Sequence, residues 1–332
     1  MRKLTIGIDL KALTRRQFLK VAAGGLVAAG TTALPFKSAL AQSKLNVGYM
    51  KIGDLSPFFL AMEKAFFKDA GLEINLASMV GGAAIMPALA SGSINIGWSN
   101  VISVYQGHLQ GLDYRLVANG AINKRGTNDV FGVCVNPASP IKSARDLAGK
   151  TVAVNTLRNI MHGATAHWID SNGGDSSKVK WVEIPFPQMP PALMNKQIDA
   201  YGAVEPFVTV PVQKKQARLL GRQLGAIAPR LLIASYFGSE GWVSKNVPLV
   251  KAFVAALNRG IDAHNANLDE ARAVLAKHTG HKPELFKNMP LPAFEKALLE
   301  SDLQPMLDVA LRYKLIDRKF SVSEVISKHV RA

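Results

Sequence analysis

Between residues 45 and 216 the chain runs twice, in the same order, through short apolar runs alternating with helix-length amphipathic segments. That alternation restricts it to an α/β architecture with largely parallel sheets, because a strand buried on both faces needs a helix to carry the chain back. The first pass predicts a strand over 45–50. Ser56-Pro57 then opens a helix bearing Phe58, Phe59, Leu60, Met62, Phe66 and Phe67, with Gly71 as its stop. A strand over 72–78 follows, then a helix from Gly81-Gly82 to about Ser91-Gly92, and a strand over 94–98. The second pass predicts strands over 151–154, 179–184 and 199–203, with helices over 158–172, 189–196 and 206–216.

One stretch repeats in residues as well. Pro87-Ala88-Leu89 and Pro191-Ala192-Leu193 both sit on a helix running into a short strand, 104 positions apart. Three common residues carry little weight alone; their shared place marks two equivalent lobes. The extended apolar runs 130–135 and 231–237 flank the second pass and read as two crossover strands joining the lobes. From Pro248 onward the period is almost all helical, without a strand, which suits a tail packed across the first lobe. The expected organisation is therefore a leader over 1–41, a first lobe over 42–133 with 236–332 including the C-terminal helices, and a second lobe over 134–235.

The leader is read from its own chemistry. Thr14-Arg15-Arg16-Gln17-Phe18-Leu19-Lys20 precedes an Ala/Gly-rich apolar stretch over 21–36 and then Lys37-Ser38-Ala39-Leu40-Ala41, the order of a basic region, an apolar region and an A-x-A cleavage site. Gly24, Gly25, Gly30 and Pro35 make the apolar stretch too short and weak to span a bilayer. The paired arginines followed by Phe-Leu-Lys resemble a twin-arginine export signal. Cleavage after Ala41 would leave a periplasmic protein of 291 of the 332 residues, beginning at Gln42. Of 40 basic and 24 acidic side chains, seven and one lie in the leader, which leaves +10 on the rest. These charges are scattered, without a basic run or an aromatic ladder, so nucleic acid is not an expected partner and a mild bias toward anions is. Cys134 is the only cysteine, so stability must come from an apolar core and not from an internal disulfide.

Several segments resemble a known family: Val47-Gly48-Tyr49 leading to Ser56-Pro57-Phe58; Leu89 through Gly97; Ile141 through Ala153, with its Asp146-Leu147-Ala148-Gly149-Lys150-Thr151-Val152-Ala153; and Gln197-Ile198-Asp199-Ala200 running on to Glu205-Pro206-Phe207. Together they resemble the periplasmic substrate-binding proteins of the nitrate, sulfonate and taurine type, which also include binders of thiamine-pyrimidine precursors. Asn95 departs from the acidic residue usual in that family. The resemblance implies a type II periplasmic-binding-protein-like α/β fold, two lobes that close on one small-molecule ligand, and service to an ABC permease in the inner membrane as a monomer exported through the Tat translocase.

In open α/β sheets ligands sit beyond the carboxyl ends of the strands, where loops and helix N-termini meet. The candidate ligand-binding residues on such loops are Gly53, Asp54, Gly81, Gly82, Ser99, Asn100, Asn155, Thr156, Arg158, Gln188 and Glu205. Each has an ordinary competing role. Gly81-Gly82 would also serve a simple turn, and Ser99 or Asn100 would also cap a helix. Arg158 at a helix start opposes the dipole unless it meets an anionic ligand or a surface carboxylate. Glu205 would accept from a ligand amine or favour the helix that follows it. Trp98, Trp181, Trp242 and Phe207 would stack on a ligand or fill core.

Enzyme signatures are missing. Gly149-Lys150-Thr151 looks like the end of a phosphate loop but precedes a strand, where that loop precedes a helix. Neither a G-x-S-x-G elbow nor a G-x-G-x-x-G turn after a strand occurs. His162 and His167 do not share a helical face, and His278, His281 and Glu284 form only a weak metal candidate. No cofactor is expected. The function that results is capture of a small organic molecule, with an anion such as a sulfonate or carboxylate favoured by the charge and Arg158. A pyrimidine-type heterocycle or a ligand-sensing module for a kinase are the alternatives.

Overall fold

The computed structural model describes residues 43–125 and 129–329; the leader and its cleavage site lie outside them. Ten strands form two five-stranded sheets. The first has the order β2-β1-β3-β10-β4, with β1 (Ser43–Tyr49), β2 (Leu72–Ser78), β3 (Ile96–Asn100), β4 (Tyr114–Lys124) and β10 (Arg230–Ser239). The second has the order β7-β6-β8-β5-β9, with β5 (Phe131–Val135), β6 (Thr151–Val154), β7 (Lys180–Glu183), β8 (Ala200–Val204) and β9 (Arg218–Arg222). In each sheet three strands run parallel, and the fourth, β10 or β5, runs antiparallel to its neighbours. Both antiparallel strands are the ones that enter from the other lobe, so the two lobes share one topology.

Eleven helices are used below: α1 (Ser56–Glu63), α2 (Phe66–Asp69), α3 (Gly82–Ala90), α4 (Val101–Leu109), α5 (Ile160–Ser171), α6 (Met189–Met194), α7 (Thr209–Gln213), α8 (Glu240–Lys245), α9 (Val247–Ala266), α10 (Leu268–Thr279) and α11 (Glu300–Arg312). The Pro-Ala-Leu repeat falls on α3 and α6, each leading into the third parallel strand of its sheet.

Two expectations need correction. The runs taken as crossovers are whole strands, β5 inside the second sheet and β10 inside the first, so the boundaries drawn at 133/134 and 235/236 each cut a strand. The chain instead passes between sheets in the connections before β5 and after β9. Strands β4 and β9 were not foreseen; in β4, Asn119-Gly120 interrupts the apolar run. Tertiary contacts remove the conflict: Asn119 is buried with its Nδ2 donating to Ala297 O at 2.8 Å, so its polarity is partly satisfied inside the fold.

The C-terminal tail contains no strand among the described residues, and only part of it is helical, since 287–299 is irregular apart from a single bridge to β4. Helix α9 lies on α1 so closely that a Cβ on Gly260 would stand 2.1 Å from Pro57 O. Beneath that contact the Ser56 hydroxyl and His264 Nδ1 are 2.8 Å apart. Arg230 anchors the tail to the start of β10 by a paired contact with Asp302, 2.6 Å from Nε to Oδ1 and 2.7 Å from Nη2 to Oδ2, and by bonds to Glu295. The tail also reaches the second lobe, where Tyr313 Oη donates to Asp170 Oδ2 at 2.8 Å beside α5. No helix among the described residues is long and apolar enough to cross a membrane.

Candidate ligand-binding site

The carboxyl ends of β1, β3, β6 and β8 converge between the two sheets. There Met50, Ile52, Asp54, Trp98, Asn100, Phe131, Asn155, Asn159, Ile160, Met161, Phe186, Val204, Ile233 and Ala234 enclose a cavity of about 30 Å3. That is room for little more than one water. Backbone contact closes it on one side: Gly53 N donates to Glu205 O at 2.9 Å, joining the loop after β1 to the loop after β8. A second contact between the lobes lies in the adjoining groove, where Gln106 Nε2 of α4 donates to Arg158 O at 2.6 Å.

Two polar atoms in the wall lack partners. Asp54 is 1% exposed, and its Oδ1 has no hydrogen-bond partner among the described residues. Burial, and secondarily the Glu205 carboxylate, pushes its carboxyl up to about 7. Trp98 is also 1% exposed, and its indole Nε1 is likewise unpartnered. Most of the remaining wall is apolar, and it holds no lysine, arginine or histidine.

Other polar groups nearby are already engaged. Asn100 Oδ1 accepts from Ser103 N at 3.1 Å and so caps α4, while its Nδ2 reaches Ser103 Oγ at 3.1 Å and Ser99 Oγ at 3.4 Å. Asn159 Oδ1 accepts from Ile160 N at the start of α5. Gly82 is needed for this packing, since a Cβ there would meet Ser99 Oγ at 2.2 Å. Gly81 has ordinary room, with Thr156 Oγ1 at 3.6 Å and Asn155 Nδ2 at 3.7 Å from its virtual Cβ.

The expected residues therefore separate. Asp54, Asn100 and Asn155 face the cavity; Gly53 holds its rim; Gly81, Gly82 and Ser99 pack behind it. Thr156 and Arg158 line an adjoining groove of about 400 Å3, which shares Asn159 with the cavity and lies between α3 and α4 on one side and the loop before α5 on the other. Arg158 has a left-handed backbone (φ 57°), which directs its N–H to His162 Nδ1 at 3.0 Å. Arg158 does not line the cavity itself and makes no ion pair among the described residues; its place is in the adjoining groove. Gln188 is exposed on a turn closed by its N–H to Pro185 O and does not reach the cavity.

Glu205 follows its structural alternative. Its Oε2 accepts from Thr209 N at 2.8 Å at the start of α7, and its Oε1 accepts from Thr209 Oγ1 at 2.8 Å and Arg222 Nη1 at 3.0 Å. Burial raises its pKa, opposed first by Arg222. Of the aromatic candidates only Trp98 lines the cavity. Phe207 stacks on Phe186 at 5.4 Å between centroids, Trp181 packs on His162, and Trp242 adjoins the core. Sequence reasoning missed Phe131, Asn159, Ile160 and Phe186. Asn159 carried a usable signal, an Asn immediately before a helix. The described residues hold no cluster of His, Cys, Asp or Glu suited to a metal ion, and the buried Cys134 thiol is pushed up to about 12.

Comparison with solved structures gives the architecture a name. The alkanesulfonate-binding protein SsuA of Xanthomonas axonopodis pv. citri, determined with MOPS bound, superposes with a TM-score of 0.74 at 19% identity, covering 85% of this chain and 97% of that one. The aliphatic sulphonate-binding SsuA of Escherichia coli gives 0.72 at 18%, covering 87% and 93%. The nitrate-binding NrtA of Synechocystis PCC 6803 gives 0.70 at 14%, covering 86% of each chain. At these identities the likeness establishes the periplasmic-binding-protein fold. None of the curated proteins matches the chain in sequence. The family model described as NMT1/THI5 like matches residues 53–271, well over half of the chain, and the protein belongs to that family.

Proposed function

We propose that this protein is the solute-binding component of an ABC importer, exported by the twin-arginine route, released to the periplasm after Ala41, and acting there as a monomer that hands a small molecule to its permease. The observation that carries the reading is the cavity between the strand ends of two topologically equivalent lobes, walled by apolar groups and by the unpartnered Asp54 Oδ1 and Trp98 Nε1. Relatives of the same fold that bind sulfonates or nitrate support it.

Capture works by closure. Ligand settles against one lobe, and the second completes the wall as Gly53 N meets Glu205 O and Gln106 Nε2 meets Arg158 O. The sulfonate- and nitrate-binding proteins of the same fold support reading the chain as a binder rather than an enzyme. Thermal-shift screening of the exported, purified protein against small polar metabolites tests capture, because a ligand confined to the folded state raises Tm. Small-angle scattering with a hit should show a smaller radius of gyration than without it. A hit that leaves the radius unchanged would remove closure from the mechanism.

A further inference from the structure

The C-terminal tail leaves the first lobe, touches the second and returns. Along α11 it is held to the first lobe by the Arg230–Asp302 pair and by Tyr105 Oη of α4, which donates to Leu303 O at 2.9 Å. Beyond α11, Phe320 packs edge-on against Tyr105, and Ser327 N donates to Leu116 O of β4 at 2.9 Å, again on the first lobe. The turn between them, Tyr313 to Ile316, rests on α5 of the second lobe. There Tyr313 bonds Asp170, and Leu315, 2% exposed, lies so close to Gly163 that a Cβ on that glycine would stand 2.6 Å from Leu315 Cδ1.

Gln106 of α4 meets this turn and the second lobe with one atom. A side-chain amide carries two N–H groups, and Gln106 Nε2 donates to Leu315 O at 3.0 Å and to Arg158 O at 2.6 Å. The first acceptor sits on a turn anchored to the first lobe at both ends, and it orders the Gln106 side chain. The second belongs to the loop before α5. That loop spends its own N–H groups within the second lobe, Leu157 N on Glu183 Oε2 at 2.9 Å and Arg158 N on His162 Nδ1 at 3.0 Å, while Arg158 O is left to Gln106. Gln106 does not line the cavity. From this arrangement we infer that Gln106 is a preset latch: a positioning residue, ordered by the tail, that sets the balance between closed and open lobes from outside the cavity and so the residence time of what is captured. A donor already ordered loses little rotamer freedom when the lobes meet, so its bond to Arg158 O favours the closed state with little offset. The inference rests on the closure reading above.

Single-molecule fluorescence transfer on the exported, purified chain tests this, with dyes on Lys68→Cys of the first lobe and Lys142→Cys of the second, both exposed positions. Cys134 is buried, with its thiol pushed up to about 12, and stays unlabelled. Gln106→Met keeps the length and helix preference of the side chain and removes both donors. The expected result is a closed-to-open ratio about 3- to 10-fold lower than in the labelled parent, the worth of one neutral hydrogen bond, with faster opening. Gln110→Ala, in the same groove and without a side-chain bond among the described residues, should leave the ratio unchanged. Thermal melts confirm that both variants fold. A ratio unchanged in Gln106→Met, or lowered equally in Gln110→Ala, overturns the latch. Adding ethanesulfonate, nitrate and 2-aminopyrimidine together to the parent then judges closure separately. A move toward the closed value retains closure without the latch, and a single transfer value moved by neither substitution nor mixture removes both.

Discussion

Asp54→Asn should stabilise the unliganded protein, and the gain should grow with pH in a defined window. The carboxyl titrates near its ordinary 3.8 when unfolded and at about 7 in the fold, where it is buried and faces Glu205. Between those values the folded chain keeps a proton that the unfolded chain has released, so stability falls as pH rises. The loss begins near pH 4 and is complete above about pH 7. Roughly three units at 1.36 kcal/mol each place it at about 4 kcal/mol. Asn has nearly the same shape and no charge to lose, so the variant lacks this decline. Urea denaturation of both proteins at pH 4.5, 6, 7.5 and 8.5 isolates the effect, since Glu205 and every surface group are common to the pair. The stability difference should be small at pH 4.5, rise by about 1.4 kcal/mol per pH unit, and level off above pH 7.5. A difference that stays flat, or that favours wild type at pH 8.5, would refute the claim that Asp54 is buried without a partner.

Arg222→Ala strands the fully buried Glu205 carboxylate with only Thr209 as donor, and about 2–4 kcal/mol should be lost in urea denaturation at pH 7. Gly82→Ala forces a Cβ to within 2.2 Å of Ser99 Oγ and should cost about 1–3 kcal/mol; Gly81→Ala, whose nearest neighbour is 3.6 Å away, should cost well under about 1 kcal/mol, both read from the shift of the denaturation midpoint. Arg158→Ala should leave the calorimetric affinity of a ligand held within the cavity within about twofold, because Arg158 does not line it; a tenfold loss would show that the ligand extends into the adjoining groove.

Much of the fold was legible. Local periodicity marked β1, β2, β3, β6, β7 and β8 to within two residues, because a buried parallel strand is an unbroken apolar run bounded by turn residues. Strand β4 was not legible: Asn119-Gly120 looks like a turn until Ala297 O is found opposite the Asn amide. The site was legible only in part. Placing candidates at the strand ends brought in Asp54, Asn100 and Asn155, which line the cavity, together with Gln188 and Arg158, which do not. Loop position alone does not say which way a side chain points.

By itself the sequence determined the order of β1 to β3 and of β6 to β8 with their intervening helices, the equivalence of two lobes through α3–β3 and α6–β8, and a basic net charge. Those properties depend on neighbours within a few residues or on simple sums. Tertiary structure alone decided that β5 and β10 belong inside sheets, that Glu205 is consumed by Arg222 and Thr209, and that Asp54 and Trp98 face one cavity without partners. Hydrogen-bond satisfaction and burial are properties of atoms brought together from distant parts of the chain. A carboxylate becomes structural or ligand-directed only when the fold supplies, or withholds, its donors.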